Sequence, residues 1–361
     1  MSASEYDAFL LLSFGGPEGP DDVLPFLRNV TRGRGVPDER LADVAGHYQA
    51  FGGVSPINAQ CRELLAAVGA DFRQRGITLP LYWGNRNWQP YLADTVARMA
   101  ADGVRRAVAF VTSAYSSYSA CRQYRDDIER ARAAVGPHAP RIDKVRPYFN
   151  HPGFVTAFAD ATTAALARVP AGSHLVFTAH SVPVAMAATS GSPATGTARP
   201  SLAGGRYAAE LAEAARLITE RAAPGAPSAL VYQSRSGSPS VPWLEPDVSE
   251  HLAAIARQGA PGAVLVPAGF TSDHMEVIHD LDVEAAGVAR ELGLPLARAA
   301  APMADPRFTA MVTDLVLERQ AGTAPAWLGG FGPAAGDCPA DCCRYQAPSR
   351  PGHPAATKET Q

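Results

Sequence analysis

The stretch Thr271-Ser-Asp-His-Met-Glu-Val-Ile-His-Asp-Leu-Asp-Val-Glu284 concentrates groups able to bind or move ions. Read as a helix beginning after Phe270, it stacks Glu276, Asp280 and Glu284 on one face at i, i+4 and i+8. Like charges at that spacing repel by about 0.2–0.5 kcal/mol per pair, so a row of three is a candidate for use. Carboxylate oxygens suit a hydrated divalent cation, and the same row can carry protons. A solvated acidic face is the commoner meaning of such a stripe, and the stretch alone does not decide. His180, in Thr178-Ala-His-Ser-Val-Pro183, follows an apolar run and can act as a base or a metal ligand near neutral pH. A packed or capping histidine is an equally good reading of it in isolation. The third chemistry is sulfur: Cys61 and Cys121 stand alone, whereas Cys338, Cys342 and Cys343 fall within six positions. A tight group of this kind signals a metal or redox site more often than a disulfide framework.

These groups must be positioned by something, and short apolar runs supply it. Ala8–Phe14, Leu81–Trp83, Ala107–Thr112, His174–Thr178, Ala229–Tyr232 and Ala263–Val266 read as strands. Between them lie helical patterns such as Leu92–Met99, Tyr124–Val135 and Tyr207–Ala222. Alternation of this kind predicts an α/β fold whose parallel sheets are covered on both faces. Ligands of such sheets bind beyond the carboxyl ends of the strands, where His180 and the acidic stretch fall. The six runs divide three and three about residue 155, which predicts two lobes, 1–155 and 156–330, with a cleft between them. Residues 331–361 form a cysteine-bearing extension with a disordered end, and 189–205 read as a flexible surface excursion.

Several classes of function are disfavoured. Gly15-Gly16-Pro17 has neither P-loop nor dinucleotide spacing. A net charge of −3 and a pI near 6.3 advertise no nucleic-acid or anionic-membrane surface. No run approaches a transmembrane span, and the first residues carry no basic signal region, so a cytoplasmic location is expected.

Taken in order, the motifs resemble the ferrochelatase family. The resemblance rests on Leu-Leu-Ser-Phe-Gly-Gly-Pro at 11–17, His-Tyr-Gln-Ala-Phe-Gly-Gly-Val-Ser-Pro-Ile at 47–57 and Thr-Ala-His-Ser-Val-Pro at 178–183. Tyr-Gln-Ser-Arg-Ser-Gly at 232–237, Trp-Leu-Glu-Pro-Asp at 243–247 and Ser-Asp-His-Met-Glu at 272–276 complete it. It implies two chelatase-type, Rossmann-like lobes around a porphyrin cleft, with His180 and Glu276 as a catalytic, Fe2+-handling pair on opposite walls. Asp280 and Glu284 match an acidic path leading away from Glu276. Ser55, Tyr124, Tyr48, Arg86, Phe14 and Arg32 match positions that line the cleft or offer charge to porphyrin propionates, Arg86 foremost. Phe14 stands where some bacterial members carry tyrosine, and His47 where several relatives have a propionate-binding arginine.

The region Phe26–Leu41 is short and basic where membrane-associated relatives carry a hydrophobic lip. Arginines there suit a porphyrin with four propionates, so coproporphyrin III is the expected substrate and protoporphyrin IX the alternative. The product would pass to a later haem-pathway enzyme. The resemblance also implies a [2Fe-2S] cluster held by Cys338, Cys342 and Cys343 with Cys121 as the fourth ligand. A cobalt chelatase for sirohydrochlorin and a non-catalytic haem carrier are the rival readings.

Overall fold

In the computed structural model, residues 6–33, 35–191, 204–236 and 240–345 are described. Residues 192–203 of the expected excursion and the expected disordered end from 349 lie outside them, as do Arg34 and Gly237.

Among the described residues, eight strands build two parallel sheets. The first holds β1 (Ala8–Ser13), β2 (Leu81–Asn85), β3 (Arg106–Val111) and β4 (Arg141–Lys144) in the order β2-β1-β3-β4. The second holds β5 (His174–His180), β6 (Ser228–Gln233), β7 (Ala263–Val266) and β8 (Leu296–Arg298) in the order β6-β5-β7-β8. The two sheets thus repeat one topology. The six predicted runs are the inner strands and one edge of each sheet. The other edges, β4 and β8, carry charged residues because each pairs on one side only.

Between β1 and β2 lie α1 (Val23–Val30), α2 (Asp38–Gln49) and α3 (Ile57–Gln74); α4 (Leu92–Ala101) and α5 (Gln123–Val135) serve the rest of the first sheet. α6 (Pro152–Leu166) leads into β5, α7 (Val184–Ala188) and α8 (Gly205–Ala222) lead to β6, and α9 (Val248–Arg257) leads to β7. After β7 come α10 (Met275–Val277), a π-helix over Ile278–Ala285, and α11 (Ala286–Glu291). α12 (Pro306–Ala321) follows β8 but packs on α3 and α6, so the last helix among the described residues crosses back to the first sheet.

One apolar core is continuous across both sheets. It runs from Phe9, Phe72 and Phe110 through Tyr148 and Phe154 to Phe177, Val264 and Phe308, all essentially inaccessible. Burial of each large apolar side chain contributes about 1.5–3 kcal/mol, so this shared core fixes the sheets relative to each other. The loops beyond the strands are tied as well. Tyr115 Oη donates to the Ala268 carbonyl at 2.6 Å, and Thr271 Oγ1 donates to that of Thr112 at 3.2 Å. Tyr115 is itself a fully buried core ring.

Candidate functional site

In a sheet of order 2-1-3-4 the connections leave β1 and β3 in opposite directions, which opens a crevice past the ends of those two strands. The second sheet has the corresponding crevice past β5 and β7. The Tyr115 and Thr271 bonds join the segments after β3 and β7, so the two crevices face one another. The residues singled out from the sequence lie around this junction.

His180 ends β5 in register with Gln233 at the end of β6. Its Nδ1 sits against the Ser181 carbonyl, which can only accept, so Nδ1 carries a proton and Nε2 is the ring nitrogen turned toward the cleft. Nε2 is 4.0 Å from Glu276 Oε2 at the start of α10, and both side chains are partly exposed. This corrects the expectation of opposite walls. Both residues come from the second sheet, and a flat ring between them would need van der Waals contact of about 3.5–4.0 Å on each face. The pair therefore addresses one side of whatever occupies the cleft.

Behind Glu276 the predicted ladder takes a different form. Residues 278–285 wind as a π-helix, a form that recurs at functional sites, rather than as the α-helix assumed from the spacing. Asp280 is largely buried and accepts from Ser234 Oγ and from Gln233 Nε2 at 3.3 Å. The same Gln233 amide donates to the Glu276 carbonyl at 3.1 Å, which links the two rungs. Burial pushes the Asp280 carboxyl up to about 6, and the charges of Glu276 and Glu284 add to this against the hydrogen bond from Ser234. Ser234 holds φ 60, a left-handed conformation uncommon for serine, with its hydroxyl on Asp280. Glu284 is exposed, and His279 Nδ1 lies 3.6 Å from Asp280 and 3.7 Å from Glu284. One ligand atom from each of these three residues lies within 4.8 Å of the others, so imidazole joins the carboxylates as a possible cation ligand.

Reasoning from the sequence did not single out Gln233, Ser234 or His279 as site residues. It also passed over His274, which is half-buried beside Phe270 and whose pKa burial lowers. The available signals were the family-like motifs at 232–237 and 272–276 for Gln233, Ser234 and His274, and the acidic stretch 271–284 for His279.

The first sheet supplies the other side. Gly15 has φ 82, and a Cβ on Gly16 would stand 2.7 Å from that of Ser55, so the Gly-Gly turn closes directly onto Ser55. Ser55 is buried and donates its backbone N–H to the Pro17 carbonyl at 2.9 Å. Phe14 packs edge-on against Phe26, which also meets Tyr48 and Trp88. Tyr48 is buried, and burial together with Glu276 and Asp280 raises its pKa above the ordinary phenol range. Met275 enters this N-terminal cluster, and His47 stacks on His279 at 3.8 Å. The α1–α2 region and the acidic segment are therefore in contact. Of the basic residues there, Arg28 pairs with Asp38 at 3.3 Å, and Arg32 is exposed at the end of α1. Arg86 is placed differently: it is buried, ion-paired to Asp127, and stacked 4.5 Å from the ring of the buried Tyr124.

Gly269 sets the distance between the two halves of the His180–Glu276 pair. Its N–H donates to the Thr178 carbonyl at 2.9 Å, and a Cβ there would lie 2.5 Å from Ala179 Cα. Gly269→Ala is expected to cost about 1–3 kcal/mol, read by urea denaturation, and to spread the ends of β5 and β7. A variant of unchanged stability would contradict the contact.

The cysteines gather away from the cleft. Cys121 lies in a π-turn, Tyr118–Arg122, leading into α5, and the segment 336–343 folds back onto it. Cys121, Cys338 and Cys342 shift one another's thiols in series, and Cys342 Sγ is 3.7 Å from Cys343 Sγ. All four border one cavity of about 220 Å³, with Arg122, Arg125, Lys144 and Arg319 on its rim. The bond to Cys338 and burial both push the Cys121 thiol above its usual range. Cys61 is buried under β1 in the main core, apart from this group.

Comparison with known proteins agrees with this architecture. A Bacillus subtilis SirB structure with Fe3+ shares the fold at TM-score 0.52 and 11% identity, over 88% of this chain and 97% of that one. A coproporphyrin III ferrochelatase of Streptomyces griseus is 53% identical over 359 residues, covering 95% of this chain and 94% of that protein. One from Nocardia farcinica is 55% identical over 350 residues, covering 94% and 97% respectively. The ferrochelatase family profile matches residues 6–320, nearly the whole of both sheets and their helices, and the chain belongs to the ferrochelatase family.

Proposed function

We propose that the protein inserts Fe2+ into coproporphyrin III and releases the two pyrrole N–H protons. The observation that carries this is the one-sided His180–Glu276 pair at 4.0 Å, continuous through Gln233 with Asp280. His180 Nε2, whose partner nitrogen is occupied by the Ser181 carbonyl, takes a pyrrole proton, and Glu276 lies next in line. Asp280, with its pKa near 6, exchanges protons close to neutral pH and hands them toward exposed Glu284. A second reading is favoured by the convergence of His279, Asp280 and Glu284, and makes the same row the entry path of the iron.

Phe14, Tyr48 and Ser55 stand on the facing side and line the porphyrin, while Tyr124 supports them from beneath through Arg86. Because Arg86 is neutralised by Asp127 and Arg28 pairs with Asp38, exposed Arg32 is the better placed cation for a propionate in the native arrangement. That basic lip supports coproporphyrin over protoporphyrin, as do the names of the two actinobacterial relatives. The reaction belongs to haem biosynthesis in the cytoplasm, with the product taken up by a later enzyme of that pathway. With anaerobic Fe2+ and either porphyrin followed by absorbance, coproporphyrin III should turn over at least tenfold faster. Equal rates would remove the substrate assignment.

Cys121, Cys338, Cys342 and Cys343 would hold a [2Fe-2S] cluster. The fit rests on the donor set: four thiols, and no other side chain of comparable softness, border a single cavity. Such a cluster supplies one-electron redox chemistry. It lies apart from His180 and Glu276, so its effect on the chain is to tie residues 336–343 to the start of α5. No helix among the described residues is long and apolar enough to cross a membrane.

A further inference from the structure

The loop that carries three of the cysteines is held by arginines acting on its backbone. Arg122 donates to the carbonyls of Ala340 and Cys342, and Arg125 to those of Cys338 and Pro339 at 3.2 and 3.0 Å. Arg319 donates to the Gly336 carbonyl at 2.8 Å and pairs with Asp337. These contacts shape the loop and leave the sulfurs alone.

Lys144, at the end of β4, behaves differently. Its Nζ lies 3.0 Å from Cys121 Sγ and 2.9 Å from the Cys121 carbonyl. Among the described residues no carboxylate is recorded as a partner of this ammonium. The nearby Asp143 is taken by Arg106 and Arg141, and Asp126 by Arg122. Lys144 is thus the one recorded cation, among the described residues, whose charge falls directly on a sulfur. It is partly buried, where charge acts at lower effective dielectric than in water.

We infer that Lys144 is a positioning residue that sets the reduction potential of the cluster held by the four cysteines. The inference rests on the cluster reading above. One-electron reduction adds a negative charge to an assembly of thiolates, sulfides and iron. An ammonium donating to one ligand sulfur favours that reduced form and raises the potential. Lys144→Gln removes the charge and keeps an N–H donor on a side chain one atom shorter, whereas Lys144→Arg keeps the charge.

The test is a dithionite titration of the anaerobically purified full chain, followed by visible absorbance and EPR, with iron and acid-labile sulfide measured for each variant. Lys144→Gln should shift the reduction equilibrium about tenfold toward the oxidised form, which is about 59 mV for one electron. Lys144→Arg should stay within twofold of wild type, and porphyrin metallation by the reduced protein should be unchanged in both. Loss of the cluster from Lys144→Gln but not from Lys144→Arg overturns the inference as stated, since the charge would then retain the cluster rather than set its potential. A midpoint in Lys144→Gln equal to wild type, with full cluster content, overturns the role of Lys144 and leaves the cluster reading intact. Cluster loss from both variants overturns it too, because shape rather than charge would then be at work. A wild-type chain without iron or sulfide overturns both readings together.

Discussion

Glu276→Gln and His180→Ala are each expected to lower iron insertion by about 10²–10⁴-fold, the range over which a positioned acid or base acts. Porphyrin affinity, read by fluorescence quenching, should change little, because both side chains address one face of the cleft and the aromatic lining belongs mostly to the other sheet. Glutamine keeps the size of Glu276 and removes only its charge and basicity. His180→Ala leaves the strand intact, since the backbone carbonyl of residue 180 still accepts from Tyr207 Oη. Retention of more than a tenth of the rate in both variants would refute the pair. Asp280→Asn then distinguishes the two uses of the acidic row. If the row exports protons, removing a carboxyl that titrates near 6 flattens the acid limb of the pH–rate profile and leaves the KM for iron alone. If it admits iron, the KM for iron rises and the profile keeps its shape.

The second large effect concerns stability. Arg146→Met should cost about 3–5 kcal/mol, the cost of breaking a buried ion pair from one side. Arg146 is buried and meets Glu318 of α12 in a two-pronged contact, Nε to Oε2 at 2.7 Å and Nη2 to Oε1 at 2.9 Å. It also donates to the Ala326 carbonyl, so it holds both the last helix and the segment after it against the first sheet. Truncation leaves the Glu318 carboxylate buried without its cation. Replacing both residues by apolar ones of similar size should therefore recover most of the loss. Denaturant unfolding of the two single variants and the double variant measures this, and a loss under 1 kcal/mol in Arg146→Met would contradict it.

The same neighbourhood gives the protein an acid limit. Burial, aided by the charge of Arg146, lowers the pKa of His151 from 6.5 to about 4. The folded state thus prefers the neutral ring, and the unfolded chain binds the extra proton between those values. Stability from this site is full above about pH 6.5 and declines as pH falls toward 4. Without Arg146 that decline should be shallower.

Much of this molecule was legible in its sequence. Inner strands lie buried between neighbours on both sides, so they must be apolar, and β1, β3, β5 and β7 announced themselves as runs. The edges β4, Arg-Ile-Asp-Lys, and β8, Leu-Ala-Arg, look like loop because an edge strand pairs once and meets solvent. Strand ends pointed to His180 and to the acidic stretch, and the order of motifs pointed to the family. The proximity of the tail cysteines to one another was also plain.

Tertiary structure alone decided the rest, because it depends on partners tens to hundreds of residues away. No spacing rule reveals that His180 and Glu276 share one side of the cleft, since that follows from the neighbouring positions of β5 and β7 in a crossover sheet. The π-helix over 278–285 has the same carboxylate spacing an α-helix would use, so periodicity could not distinguish them. Arg86 looked like a free cation until folding set Asp127 against it. Likewise Lys144 is an unremarked edge-strand lysine in the sequence, and only the return of residues 336–343 to the start of α5 makes it the neighbour of a four-sulfur group. Composition and local pattern determine which elements form. Which charges meet, and therefore which chemistry is possible, is settled when those elements pack.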